Sequence, residues 1–458
     1  MDSSIKMGRW GVLLASVVLV AACTQPGATG PAATGPAATG PAATGPAGTG
    51  PAGTGPAATQ TGEDLTGQEV TVIGTWGGDE ETAFKEMVAP WEASTGATVK
   101  YTGTRDLNII LSNGILSGVL PDLAGLPGPG QMAEYAKAGA LIDLTGVLDT
   151  ATYESETTPA LVELGKVDGK IVGVFIKAAV KGLIWYRPSV IEIATPPATW
   201  ADLQALATAN ADKAENAWCV GVESGAASGW PGTDWIEDII LRQAGVDTYN
   251  SWWQGTTKWS DPAIKAAFET FGQVVADSYG GKTGVNATNF EVAGDPLFAE
   301  SAGCLFHHQA SFITGLGKFK TAAAGTDYDF FPFPDIDAAN AGSVEGAGDL
   351  FGMFKDTPAA RSLMAYLVTA EAQDIWVAKG GALSANKNAT SYPDDIAKRS
   401  AEVLTGATTF AFDASDLMPQ EMNAAFWGAI VDYIDDASKL DAILAELDTV
   451  QASAYAAS

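Results

Sequence analysis

The residues best equipped for chemistry in this chain are acids and tryptophans set among glycines. Asp79 ends the run Gly74-Thr75-Trp76-Gly77-Gly78-Asp79, where a helix start would set its carboxylate beside free backbone N–H groups. Arg105-Asp106 puts opposite charges side by side after a strand-like segment, able to grip two hydroxyl groups or simply to close a local ion pair. Gly346-Ala347-Gly348-Asp349 sets another acid where small neighbours permit close approach. Trp230, in Gly229-Trp230-Pro231-Gly232-Thr233-Asp234-Trp235, lies in a turn suited to presenting a ring. Asp234 reads as a ligand acceptor or a helix N-cap, and Trp235 as a ligand contact or core. Trp427 has the same two readings, because its helix also offers Ile430 and Ile434 to a core. Rings cover apolar C–H faces, and carboxylates or guanidinium groups hold hydroxyls in pairs, so the set suits a neutral ligand rich in hydroxyls.

Other chemistries find little material. His307 and His308 are the only histidines and stand next to each other before Gln309. Adjacent histidines point apart, and no third ligand is spaced with them, so no metal is expected. His308 or Gln309 serves as a hydrogen-bonding group near a ligand, or the pair is a satisfied loop. The chain has no Gly-x-Ser-x-Gly elbow, phosphate loop, His-Glu-x-x-His or Cys-x-x-Cys. Asp335-Ile336-Asp337 lacks the later ligands of a calcium loop. No cofactor is expected.

The 458 residues are 47% hydrophobic and 17% charged, with 25 Lys and Arg against 54 Asp and Glu, a net charge of −29. That length fills two domains with cores. So few cations work against nucleic acid as a partner. The average conceals distinct segments. Lys6 and Arg9 precede the uncharged stretch 11–22, which is long enough for an export signal and too short to span a bilayer. Val20-Ala21-Ala22-Cys23 resembles a lipobox, with residues 1–22 the signal peptide and Cys23 the lipidated residue. From Thr24 to Gly62 there is no charge, and Gly-Pro-Ala-Ala-Thr units recur. Pro and Gly at this density forbid helix and ladder, so 23–65 reads as an anchor plus disordered linker.

Beyond residue 65 strands alternate with amphipathic helices. Glu69–Ile73 is strand-like, and Ala83, Phe84, Met87, Val88 and Trp91 share one helical face that Pro90 should kink. Thr98–Tyr101 and Leu123-Ala124 are further strands, with Asp122 read as strand-start structure. Strand, loop and helix in succession predict a parallel α/β sheet with ligand loops at the strands' carboxyl ends. Ile171–Ile176 and Val180–Trp185 read as strands crossing to a second region, and Thr199 as an N-cap. No Pro/Gly linker divides the remainder, so the chain should cross between lobes several times.

The order Val72-Ile73-Gly74-Thr75-Trp76-Gly77-Gly78-Asp79-Glu80, Tyr101-Thr102-Gly103-Thr104-Arg105-Asp106 and Leu120-Pro121-Asp122 resembles the family 1 extracellular solute-binding proteins of ABC sugar importers. Ala198–Leu203, Gly229–Trp235 and Phe306–Phe312 continue the match, which spans nearly all of Gly67–Ser458 and leans towards the α-glucoside binders. The resemblance implies a two-lobed, periplasmic-binding-protein-like (type II) hinge fold with interleaved domains. Lobe one would be 66–177 with 343–388, and lobe two 178–342 with 389–458. It implies ligand contacts at Trp76, Gly78 and Pro127 besides those above, and a stacking role for Trp427. It supports a disulfide between Cys219 and Cys304, which two cysteines in an exported chain also suggest. After Leu120-Pro121-Asp122 the chain reads Leu123-Ala124-Gly125-Leu126-Pro127-Gly128-Pro129-Gly130, without the Trp and Asp-Arg pair of the best-known maltose binder. That departure argues for a small glucoside over a long maltodextrin.

The implied function is a monomeric lipoprotein at the outer face of the cytoplasmic membrane that hands a carbohydrate to membrane permease subunits. A binder of a polyol or polyamine on the same fold is the alternative. A secreted glycoside hydrolase would need two carboxylates flanking one bond.

Overall fold

Apolar residues at strand and helix spacing gather around two sheets. A computed structural model describes residues 63–126 and 128–457. The export segment, Cys23, the repeat region and Pro127 lie outside the described residues.

The chain opens with β1 (Glu69–Gly74), β2 (Thr98–Gly103) and β3 (Leu123–Leu126), with β1 parallel to both of the others. Helix Gly78–Thr95 joins β1 to β2 and buries Ala83, Phe84, Met87, Val88 and Trp91, the face its spacing predicts. It runs through Pro90 to Thr95 and ends at Gly96 in the left-handed region. A small hairpin of β4 (Lys166–Val167) and β5 (Lys170–Ile171) leads into β6 (Gly173–Val180), buried along its whole length. The chain then enters a second sheet of β7 (Leu183–Tyr186), β8 (Ala214–Cys219), β9 (Ala302–Gln309) and β10 (Asp329–Pro332), in the order β10-β7-β9-β8. β11 (Ser343–Met353) returns to the first sheet, lying antiparallel to both β3 and β6. β12 (Thr409–Phe412) adds a parallel edge to it.

The chain therefore passes between the sheets at 180–183, at 332–343 and after Phe412. These points differ from the lobe limits expected at 177 and 388, because β6 runs to Val180 and β12 carries residues beyond 388 back into the first sheet. The final helices, Gln420–Asp435 and Leu440–Ala457, pack Met422, Phe426, Ile430 and Leu444 into one core with Trp218, Trp235 and Phe306 of the second sheet's side.

Several local expectations hold. Thr199 caps helix Trp200–Ala209 through a reciprocal capping box with Asp202. Asp122 braces the strand start, accepting hydrogen bonds from the amide and hydroxyl of Thr71 at 2.8 and 2.5 Å. Cys219 and Cys304 are bonded, with Cα atoms 5.5 Å apart, and tie β8 to β9.

The disulfide closes a loop of 85 residues in sequence separation, so its main effect is to restrict the unfolded chain. Replacing both cysteines by alanine should lower unfolding free energy by about 2–4 kcal/mol. Urea denaturation of the oxidised protein and the double variant checks this, and coincident midpoints would refute it.

Candidate functional site

Between the two sheets lies a cleft of about 150 Å³, partly open to solvent. Its floor is the end of β6. Lys177, Ala179 and Lys181 all line it, as the two-residue period of a strand requires. From the first sheet's side come Thr75, Trp76, Glu80, Arg105, Asn108, Ala347, Gly348 and Asp349. Trp230, Asp234, Phe290, Phe312 and Trp427 enter from segments around the second sheet, and Asp413, Ser415 and Asp416 from the turn after β12.

Two lysines organise the acids. The Lys177 ammonium lies 2.5 Å from Glu80 Oε1 and 3.5 Å from Asp349 Oδ2, and 4.9 Å from the centre of the Trp376 ring. Burial disfavours its charge, but the two carboxylates outweigh burial and raise its pKa. Lys181 sits 2.9 and 2.8 Å from the two oxygens of Asp234 and 2.9 Å from Asp413 Oδ2. Asp413 also accepts from the Ser415 hydroxyl at 2.8 Å and the Asp416 amide at 3.1 Å. Burial opposes the charge of Asp413, yet Lys181 and these donors hold its carboxyl below the ordinary value. Burial pushes Asp234 up to about 7 against the pull of Lys181. Asp349 is raised by burial despite Lys177.

Aromatic rings complete the walls. Trp230 is the first residue of helix Trp230–Trp253, and the Gly229 before it has φ 111°. A Cβ on Gly229 would stand 2.1 Å from the carbonyl oxygen of Trp427. The absent side chain thus lets the Gly229 and Trp427 backbones meet just before Trp230. Trp230 packs edge-on to Phe290 at 5.0 Å and lies 5.1 Å from the Lys181 ammonium. The indole N–H groups of Trp230 and Trp427 have no hydrogen-bond acceptor among the described residues. Trp76, only 3% exposed, rests edge-on against Trp376 at 4.8 Å.

The cleft thus brings together Trp76, Arg105, Trp230, Asp234, Gly348, Asp349 and Trp427 of the residues expected from sequence. Arg105 turns over the Phe290 ring at 5.0 Å, while Asp106 stays exposed outside the lining. Gly78 begins its helix at the surface with φ 53°. Asp79 is half exposed and pairs with Lys320 at 2.6 Å, joining the first sheet's helix to the segment between β9 and β10. Asp234 is not the N-cap of its helix but a buried residue in the second turn.

Trp235, His308 and Gln309 do not line the cleft. The Trp235 ring is 1% exposed and packs against Trp218, Phe271 and His308, since it lies on the core face of its helix. His308 Nε2 donates to Asp238 at 2.7 Å, and burial lowers the pKa of its imidazole against the pull of Asp238. Gln309 spends its side-chain oxygen on the Ala310 amide at 2.8 Å.

Glu80, Lys177, Lys181, Phe290, Phe312, Asp413 and Asp416 were not anticipated. Only the lysines carried a signal, as two cations interrupting the apolar run Val172–Tyr186. Among groups able to hold a metal, Asp234, Glu345 and Asp413 each offer a carboxylate oxygen within 4.8 Å of the others.

Two sheets crossed by one chain, with a polar and aromatic cleft between them, define a solute-binding protein of the two-lobed kind. Residues 77–374 match the bacterial extracellular solute-binding protein family, and the chain belongs to that family. It is 37% identical over 379 residues to the osmoprotective compounds-binding protein GgtB of Synechocystis, covering 80% of this chain and 89% of that protein. It is 36% identical over 391 residues to the alpha-glucosides-binding periplasmic protein AglE of Rhizobium meliloti, covering 81% and 84%. Among solved structures it resembles a chitin oligosaccharide binding protein (TM-score 0.73, 20% identity, 85% of this chain and 99% of that one). It also resembles maltose-bound MalE3 of T. maritima (TM-score 0.66, 18% identity, 84% and 98%). The fold is the type II periplasmic-binding fold.

Removing the shared cation should be costly. Lys181→Met leaves Asp234 and Asp413 facing each other in the interior, and should lower stability by about 3–5 kcal/mol near neutral pH; denaturant titration reads this directly.

His307 gives a separate acid-side signature. Its Nδ1 lies 2.9 Å from the Cys219 carbonyl oxygen, and burial lowers its pKa from 6.5 to about 4. Between those values the unfolded chain binds a proton and the folded chain does not. The stability held by the neutral ring is full above pH 6.5 and falls by on the order of 3 kcal/mol as pH approaches 4. The stability difference between wild type and His307→Gln should therefore shrink over that range, and a pH-independent difference would contradict this origin.

Proposed function

We propose that this protein is the substrate-binding component of an ABC importer that captures a small neutral carbohydrate, an α-glucoside or short oligosaccharide, and delivers it to membrane permease subunits. One observation carries the reading. Trp76, Trp230 and Trp427 converge on the same cleft as Glu80, Asp234, Asp349, Asp413, Asp416 and Arg105, pairing ring faces with planar hydroxyl-binding groups. The names of GgtB and AglE agree with a small osmoprotective or glucosidic solute.

The pairing of the cleft acids favours a neutral ligand over a polyamine. Lys177 and Lys181 already occupy four of the cleft carboxylates. A small ligand is favoured by the loop after β3. Cβ atoms on Gly128 and Gly130 would stand 2.3 and 2.2 Å from the carbonyl oxygens of Asp416 and Met418, so this loop presses on the turn at one end of the cleft. Binding, not hydrolysis, is the proposed activity, in keeping with the names of the binding proteins GgtB and AglE and with the engagement of Asp234 and Asp413 by one lysine. Ligand would favour a closed arrangement of the lobes, and Asp79–Lys320 would join its rim. Lipidation of Cys23 would hold the protein at the outer face of the cytoplasmic membrane, on the spacer that follows.

Isothermal titration against maltose, trehalose, sucrose, longer α-glucans, a polyol and spermidine tests the reading. A neutral glucoside or oligosaccharide should bind, and Trp230→Ala should weaken it at least about tenfold, equivalent to 1.4 kcal/mol. Binding of spermidine alone, or of nothing in the panel, would overturn it.

A further inference from the structure

Under the cleft floor, where the chain passes between the sheets, acids outnumber the cations that face them. Asp234 comes from helix Trp230–Trp253, Glu345 from β11, and Asp413 from the residue after β12. They are 2%, 0% and 2% exposed. Lys181 is the cation that touches this group, and it reaches only Asp234 and Asp413. Both oxygens of Glu345 lack a hydrogen-bond partner among the described residues, although one lies within 4.8 Å of oxygens of both aspartates. Neighbouring acids have other partners. Glu237 accepts from the Ala414 and Ser415 amides, and Asp238 is paired with Arg242 and His308.

We propose that Asp234, Glu345 and Asp413 bind one hard divalent cation with the coordination chemistry of calcium. When all three are ionised, the carboxylates exceed the one ammonium by two negative charges, which one divalent ion neutralises in place of protons. The donors are all oxygens, suiting calcium over zinc or copper. Two oxygens bound to one calcium ion at about 2.4 Å stand at most ~4.8 Å apart, the limit within which these three lie. The ion answers the unpartnered Glu345 and ties together a helix of the second sheet's side, a strand of the first sheet and the turn that leaves it. Because Asp234 and Asp413 also line the cleft, ion and solute share two residues. This site stands on its own residues whatever solute the cleft takes.

The experiment uses the folded chain stripped with chelator and returned to calcium or magnesium at neutral pH. Calcium should raise the melting temperature by about 5 °C when well above its dissociation constant. Metal analysis after dialysis against micromolar calcium should find one ion per chain. Terbium should bind competitively with calcium and show emission sensitised by nearby tryptophan. Glu345→Gln, which does not touch the cleft, should abolish all three responses while leaving solute titration measurable. No bound ion in wild type, or the same calcium response in Glu345→Gln, overturns the site. Wild-type protein indifferent to calcium, with Glu345→Gln at least as stable, would assign the cluster to a protonated Glu345. Should the variant fail to accumulate, wild-type stoichiometry and terbium competition decide alone.

Discussion

The Lys181 ammonium, shared by Asp234 and Asp413, is the interaction on which the rest of the site depends. It stands where β6 leaves the first sheet, and its carboxylates arrive from opposite sides: one from the helix packed under the second sheet, the other from the end of β12. A buried ammonium is tolerated only if its partners are held in place. The surroundings hold them, with Ser415 and the Asp416 amide fixing Asp413 and the Trp230 ring lying over the lysine. Lys177 repeats the device four residues earlier with Glu80 and Asp349.

These pairs give the cleft its character. Each lysine engages two carboxylates, whose remaining lone pairs stay free to accept from hydroxyl donors. The aromatic residues supply the apolar part. Their separate origins in the chain, from Trp76 to Trp427, mean that the cleft exists only when both sheets and the final helices are assembled. The exposed Asp79–Lys320 pair adds a rim contact, worth at most about 1 kcal/mol in high dielectric.

Much of the frame could be read from local pattern. The amphipathic face of helix Gly78–Thr95 and the capping box at Thr199 follow from residue type and short-range spacing, and the Cys219–Cys304 bond was expected from the cysteine count and the family resemblance. The glycine-flanked Trp230 and Asp349 were recognisable as cleft residues for the same reason. Trp235 and His308 lie beyond what local pattern determines. Both sit in motifs that resemble ligand loops, yet one lies on the buried side of its helix and the other satisfies Asp238 in the interior. Which face of an element meets the cleft is fixed by what packs behind it, and a motif does not contain that information.

The sequence by itself determined the alternation of strands and helices, the cysteine pair, the excess of acid and the family to which the chain belongs. These follow from periodicity, composition and the order of short motifs along one dimension. Only the tertiary structure decided that Lys177 and Lys181 face the cleft, that Asp413 and Asp234 meet on one ammonium 179 residues apart in number, and that Glu345 beside them has no hydrogen-bond partner among the described residues. The reason is physical. A lysine is stable in a buried strand only when distant carboxylates converge on it, and convergence arises from chain crossings that no local window records.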